Sequence, residues 1–232
     1  MGKSEERTEN LRFAVLATDT VLLTLYKDKL YVRLIKVNLP PHYINSVGLP
    51  GGIISPNETA EQSSIRHIEG KAQIDSANIY IEQIYTFTAI KRDPRNRVIA
   101  VAYLGLIPWE KLTEIEQRLA GDSWWCNIDK VPKLAFDHKE ILDVAVNRFK
   151  ARIIYTNIIS KILPTQFSLT ELEEAYESIL KIKVDKRNFR KKILNLGILK
   201  KLNKMRAGLK ARPATLYKFA TKDIRNLDNV VL

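Results

Sequence analysis

Three features of the sequence predict an α/β sandwich, with helices packed on a mixed sheet, followed by a small helical unit closed by a β-hairpin. Short runs of alternating or continuous apolar residues recur over the first half of the chain, with one helical stretch between them. Near the end, two helical patterns with N-terminal caps stand in succession, followed by a glycine and a basic hairpin pattern. Between the halves the charge balance changes abruptly. We therefore divide the chain into a domain over 1–146 and a second over 147–232.

The elements follow in order. AVLATDTVLLTLY and LYVRLIKV are β-rich runs joined by the turn residues Lys27, Asp28 and Lys29, and Leu39–Pro40–Pro41 ends the second. GLPGG is a tight turn. Asn57 is placed to cap a helix from Glu58 to Lys71. IYIEQIYTFTAI and RVIAVAYLGLI read as strands around the charged turn KRDPRN. WEKLTEIEQRLA reads as a short helix and WWCNIDKVPKLAFDH as a loop. Ile141, Leu142, Ala145, Phe149, Ile153, Ile154 and Ile158 recur at helical spacing, and Pro164 is the expected stop. Ser168 and Glu171 form a capping box ahead of the face Leu169, Leu172, Ala175, Tyr176 and Ile179. Asp185 caps a second helix to about Leu196, and Gly197 ends it. ILKKL and TLYKF flank a basic tip. Helix, turn, helix, hairpin is the order of a winged helix-turn-helix.

No apolar run approaches the roughly 18 residues that span a bilayer, and the polar MGKSEERTEN start resembles no signal peptide. A single cysteine, Cys126, excludes an internal disulfide. The expected location is the cytoplasm, in association with the nucleoid. The net charge is +12, and it is localised. From residue 147 onward there are 20 Lys and Arg against 7 Asp and Glu; before it, 18 against 19. A domain so basic draws polyanions through counterion release.

The second helix of that basic domain has two faces. With Phe189 at zero and a step of about 100° per residue, Ile193 and Leu196 fall beside it, and Arg187 and Lys191 fall opposite. Asn188, Arg190 and Asn195 flank the outer face, and Lys186 at the start of the helix is a further candidate DNA contact. Arginine and asparagine forks there suit base edges and phosphates in a major groove. In the wing, Lys204, Arg206, Lys210 and Arg212 are the candidates to reach phosphates or the minor groove. The expected partner is double-stranded DNA, read by a homodimer at a palindromic operator.

The stretch GLPGGIISPNETAEQSSIRHIEGKAQI has the frame of a phosphohydrolase helix without its metal ligands. Carboxylates at i, i+3 and i+4 gather a metal on one helix face. Here those positions hold His67, Gly70 and Lys71. Neither a metal nor any other cofactor is expected, and metal-assisted hydrolysis is not. Arg66 is placed to brace the glycine turn, with Glu58 as its structural companion.

Gly52, Glu58, Arg66, Ile68 and Ile74 resemble a degenerate Nudix box, with Gln73 at its later glycine. IYIEQIYTF, RDPRNRVIAVAYLGLIP, LAFDHKEILDVAVNRFKARIIY, FSLTELEEAYESIL, DKRNFRKKI and ARPATLYKF are similar to segments of the Nudix-related transcriptional regulators. The resemblance runs from about residue 46 to 219. It implies a Nudix-like α/β/α sandwich that senses a small-molecule effector and a winged helix that binds an operator. It implies either a nucleotide such as ADP-ribose, with control of NAD metabolism, or a sugar such as arabinose. The TFTAIKRDPR segment lacks the acidic residue that nucleotide-sensing relatives often carry before the RDP. Lys36, Glu82, Tyr85, Arg92 and Arg97 are the expected ligand contacts: the cations for a phosphate, Glu82 and Tyr85 for hydroxyls. Trp124 and Trp125 suit packing better than base stacking. The rival readings are a Nudix pyrophosphohydrolase with an attached nucleic-acid-binding domain, and an architectural or RNA-binding protein.

Overall fold

The computed structural model describes residues 14–206 and 214–227. A mixed seven-stranded sheet fills the first half. Its strands are β1 (Val15–Tyr26), β2 (Lys29–Leu39), β3 (Tyr43–Gly48), β4 (Gly51–Ile53), β5 (Tyr80–Phe87), β6 (Val98–Leu106) and β7 (Ser123–Asn127). The main path runs β3-β2-β1-β6-β5, with β4 on β1 and β7 on β2. Among the described strands of this sheet, only β1 and β6 pair in parallel. β1 is buried on both faces from Ala17 to Thr24, with the polar Thr18, Asp19, Thr20 and Thr24 set among its apolar residues. One face carries Thr18, Thr20 and Leu22 onto helix α1 (Ala60–His67) and the π-turn after it. There Thr18 and Thr20 meet Ser63 and Ser64, and Leu22 packs with Ile68 and Ile74. The other face sends Val21 and Leu23 into the core beneath helix α2 (His138–Tyr155).

The second half is a winged helix. α3 (Leu169–Leu180) starts at the Ser168 capping box, with both reciprocal bonds made. α4 (Lys186–Asn195) starts at Asp185, whose carboxylate accepts from the Arg187 and Asn188 amides. Gly197, at φ +64°, turns the chain into β9 (Leu199–Arg206). β9 pairs with β10 (Ala214–Phe219), and β10 with the short β8 (Phe167–Ser168). The two halves share one core: residues of β1, α2, α3 and α4 belong to a single apolar cluster.

Several expectations need correction. Thr59, not Asn57, caps α1, because its hydroxyl accepts from the Gln62 amide and the Gln62 side chain returns the bond. The helix does not continue as α to Lys71: from Ile68 to Ala72 it widens to a π-turn that Gln73 ends in the left-handed region. WEKLTEIEQRLA yields only a 3-10 turn over Trp109–Lys111, and the supposed loop at Trp124 is strand β7. β3 has no counterpart in the sequence reading. α2 ends at Tyr155, nine residues before Pro164, and Thr156 follows it. There the backbone becomes extended and forms a bridge with Asn226. Residue 147 lies midway along α2, whose buried face runs without interruption from Ile141 to Ile153.

Candidate ligand cavity and nucleic-acid reader

A cavity opens where β1 and β2 part. The two strands pair only from Leu23–Tyr26 to Lys29–Val32. Beyond that, β1 takes β4 as its partner and β2 takes β3 and β7. The gap encloses about 980 Å³. Val15, Ala17 and Asp19 line it from β1, and Ile35, Lys36 and Val37 from β2. Gly51 and Gly52 of β4, with Arg66, His67 and Lys71, form a third wall; Arg92, Arg95, Phe136 and His138 close it. The glycines are required by close approach. A Cβ on Gly51 would lie 2.3 Å from the Asp19 carboxylate, and one on Gly52 2.7 Å from the His67 ring.

Asp19 lines the cavity from β1 and is 6% exposed. Arg92 Nη2 donates to its Oδ2 at 3.0 Å, and His138 Nε2 lies 3.3 Å from Oδ1. His138 Nδ1 accepts from the Leu49 amide at 2.9 Å, which leaves Nε2 as the protonated nitrogen facing Asp19. Arg92 also forks onto Asp137, the residue preceding α2, at 2.8 and 2.7 Å. Burial alone would raise the Asp19 pKa, but His138 and Arg92 together hold it below the usual carboxylate range. Asp93 binds both the backbone and the guanidinium of Arg95, which lies over the Phe136 ring at 5.2 Å.

The wall carrying Lys71 is fixed from behind. Arg33, 1% exposed, donates through Nε and Nη2 to the Ala72 carbonyl at 3.0 and 2.8 Å, and Ser123 Oγ donates to the same oxygen at 2.9 Å. Desolvation lowers the Arg33 pKa to about 10, so it stays charged at neutral pH. Arg66 spans Glu58 and the Ile53 carbonyl, and so braces the turn as its position predicted. His67 is buried, and desolvation followed by the charges of Lys71 and Arg66 lowers its pKa; it is a neutral imidazole at neutral pH. A divalent cation needs oxygen ligands that His67, Gly70 and Lys71 do not supply. Among the described residues no group of three or more His, Cys, Asp and Glu is arranged to hold a metal.

Of the expected ligand residues, the cavity gathers Lys36 and Arg92. Lys36 pairs with Asp122 at 2.7 Å. Glu82, Tyr85 and Arg97 are elsewhere. β5 lies at the far edge of the sheet, so Glu82 turns to Tyr80 and Arg152, and Tyr85 stands exposed beside Phe87. Arg97 donates to the Thr88 and Ala89 carbonyls within its own turn. Trp125 is core, its Nε1 donating to the Glu116 carbonyl, and Trp124 is half-buried against the main cluster. The sequence reading passed over Asp19, Arg95, Phe136 and His138. Asp19 had a signal, since an acid inside an apolar strand run is a buried charge awaiting a partner. Phe136 had none.

In the reader, Lys186, Arg187, Asn188, Lys191 and Asn195 are exposed on α4, while Phe189 and Ile193 are buried. Asn188 Nδ2 bonds the Asp185 carboxylate. Arg190 is not on the outer face. At about 100° from Phe189 it meets α3, where it pairs with the buried Glu173 and with Thr170 Oγ1. Lys204 is exposed on β9. Lys210, Arg212 and the side chain of Arg206 lie outside the described residues.

Comparison with known proteins decides the kinship. The description "NrtR DNA-binding winged helix domain" fits residues 159–219. The ADPR responsive transcriptional repressor NtrR of Acinetobacter baylyi is 30% identical over 213 residues, 90% of this chain and 83% of that one. The chain belongs to the Nudix-related transcriptional regulators. Like the rest of this family, it is a ligand-responsive, DNA-binding regulator that joins a Nudix-type sensor to a winged helix. The crystal structure of Shewanella oneidensis NrtR complexed with a 27mer DNA superposes at a TM-score of 0.77, with 28% identity, over 88% of this chain and 93% of that one. The NUDIX domain of the same regulator complexed with ADP ribose gives 0.52, also at 28% identity, over 63% of this chain and 95% of that one.

Proposed function

We propose that this regulator is a homodimeric repressor that senses an ADP-ribose-type nucleoside diphosphate sugar in its N-terminal cavity and releases a palindromic operator when the ligand binds. The observation that carries this reading is the cavity itself: it is walled by Lys36, Arg66, Lys71, Arg92 and Arg95 and, among the described residues, lacks the carboxylate set a hydrolytic metal needs. Phe136 with Arg95 offers a flat, cationic surface for a base. The names of the Acinetobacter baylyi and Shewanella oneidensis relatives support the same ligand. A neutral pentose would leave the ammonium of Lys71 unanswered. The functional division falls within α2, near residue 147, with the sensor before it and the reader after it, both acting in the cytoplasm at the nucleoid. Arg187, Lys191 and Asn195 contact base edges and phosphates, aided by Lys186 and Asn188, and Lys204 contacts the backbone. Catalysis is absent because His67, Gly70 and Lys71 neither bind a metal nor activate water.

The test is a titration of ADP-ribose and arabinose against the protein on promoter DNA from its own and adjoining genes. ADP-ribose is expected to weaken a footprint over two half-sites one or two helical turns apart, at roughly 10 bp per turn. Arabinose is expected to do nothing. The same protein, incubated with ADP-ribose and magnesium or manganese, is expected to release no AMP. A response to arabinose alone, or a turnover abolished by Glu58→Gln, overturns the reading.

A further inference from the structure

We propose that the Lys71 ammonium does the work a divalent cation does in a metal-dependent diphosphate site: it receives the ligand's diphosphate directly, so sensing needs no metal. This rests on the reading that the cavity takes a nucleoside diphosphate sugar.

The charge pairing in the cavity singles Lys71 out. Lys36 is matched by Asp122, Arg92 by Asp19 and Asp137, Arg95 by Asp93, and Arg66 by Glu58. Lys71 has no carboxylate within ion-pair distance among the described residues. Its Nζ donates to the Gly51 carbonyl at 2.5 Å, one of the three N–H bonds an ammonium offers. It sits over the glycines of β4, 3.0 Å from the point a Gly52 Cβ would occupy. Asp19 attracts the ammonium only from beyond ion-pair distance, so the remaining donors, and a charge with no carboxylate in contact, meet whatever enters over these glycines. Lysine binds phosphate as a compact point charge, which suits a diphosphate whose oxygens rotate.

The same group excludes the metal. A divalent ion seated beside Lys71 would face an ammonium, the neutral imidazole of His67 and the empty side of Gly70, where an added Cβ would meet nothing within 4 Å. Lys71 is also preorganised, because Arg33 and Ser123 clamp the carbonyl of the next residue, Ala72. Partial desolvation strengthens its pull on an anion and lowers its pKa below that of an ordinary lysine, so binding weakens from a lower pH than lysine titration in water would suggest.

The experiment is calorimetry of ADP-ribose with the full-length chain, once in EDTA and once in magnesium. The expected result is equal affinity in both, within about twofold. Lys71→Met is expected to weaken binding by about 10- to 100-fold, the loss of a charged hydrogen-bonding partner, while Lys71→Arg keeps most of it. Because Lys71 makes a single hydrogen bond and no ion pair among the described residues, both variants are expected to melt within a few degrees of the native chain. Native binding that requires magnesium, or Lys71→Met binding as tightly as the native chain, overturns the proposal and leaves the ADP-ribose reading intact. A native chain that binds ADP-ribose in neither buffer overturns both.

Discussion

At the scale of single residues, Asp19 ties the cavity to acid stability. Its carboxylate is enclosed by Arg92, with Asp137 beyond it, and by His138. Its folded pKa lies below its unfolded value, despite a burial that works the other way. A depressed carboxylate contributes stability above its unfolded pKa and loses it as pH falls through the folded one. The native chain is therefore expected to lose urea resistance below about pH 4. Asp19→Asn is expected to be less stable at pH 7, on the order of 3 kcal/mol, since Arg92 loses part of a buried pair. Its midpoint should be flatter over the acid range. Denaturation curves between pH 7 and pH 2 measure both, and parallel acid profiles for the two proteins would refute the assignment. This residue was legible in part: a lone acid in VLATDTVLL announces a buried charge, but its partners Arg92 and His138 lie 73 and 119 positions away in sequence, and only the fold brings them together.

At the scale of elements, α4 carries two arginines with different jobs. Arg187 points to solvent, while Arg190 neutralises Glu173, which is 1% exposed. Arg190→Ala is expected to strand that carboxylate and to destabilise the protein by roughly 3–5 kcal/mol, with the folded fraction keeping its sequence preference. Arg187→Ala is expected to leave the melting temperature unchanged and to relax operator preference, on the order of 1–3 kcal/mol of discrimination. Melting curves beside binding to operator and mismatched DNA separate them; equal effects on both readouts would remove the distinction. The helical wheel identified the inner and outer lines of α4 but not the flank, because it carries no information about which side α3 occupies. Elements whose ends are written in local chemistry were readable: the Ser168 capping box, the Asp185 cap and Gly197. Those defined by remote partners were not. β7 is a strand because β2 offers it an edge, α2 stops because Thr156 finds Asn226, and the π-turn exists because Arg33 and Ser123 hold its last carbonyl.

At the scale of the whole molecule, the neutral sensor and the basic reader are joined by packing rather than by a linker. α2 begins at the cavity, with Asp137 held by Arg92 and His138 lining the wall. It ends against the reader, where Tyr176 Oη donates to the Ile153 carbonyl at 3.0 Å. Desolvation raises the Tyr176 pKa, so the phenol keeps its proton and remains a donor. The Tyr176 ring in turn stands edge-on to Phe189 of α4, centroids 5.2 Å apart. Cavity, α2, Tyr176 and α4 thus form a continuous run of contacts, and a shift of α2 on ligand binding has a direct route to the reading helix. Coupling between two sites is reciprocal: a ligand that loosens DNA must itself bind less tightly to the DNA complex, by the same factor. Tyr176→Phe keeps the ring and removes one hydrogen bond, a change of about 1 kcal/mol. It is expected to leave the ligand affinity of free protein unchanged. Operator affinity without ligand should stay within about fivefold of native. The coupling factor should fall several-fold, and by the same amount whether read as ligand-induced loss of DNA or as DNA-induced loss of ligand. Titrations in both directions on the native and variant chains measure it, and an unaltered coupling factor would mean that the signal reaches α4 by a path that bypasses Tyr176.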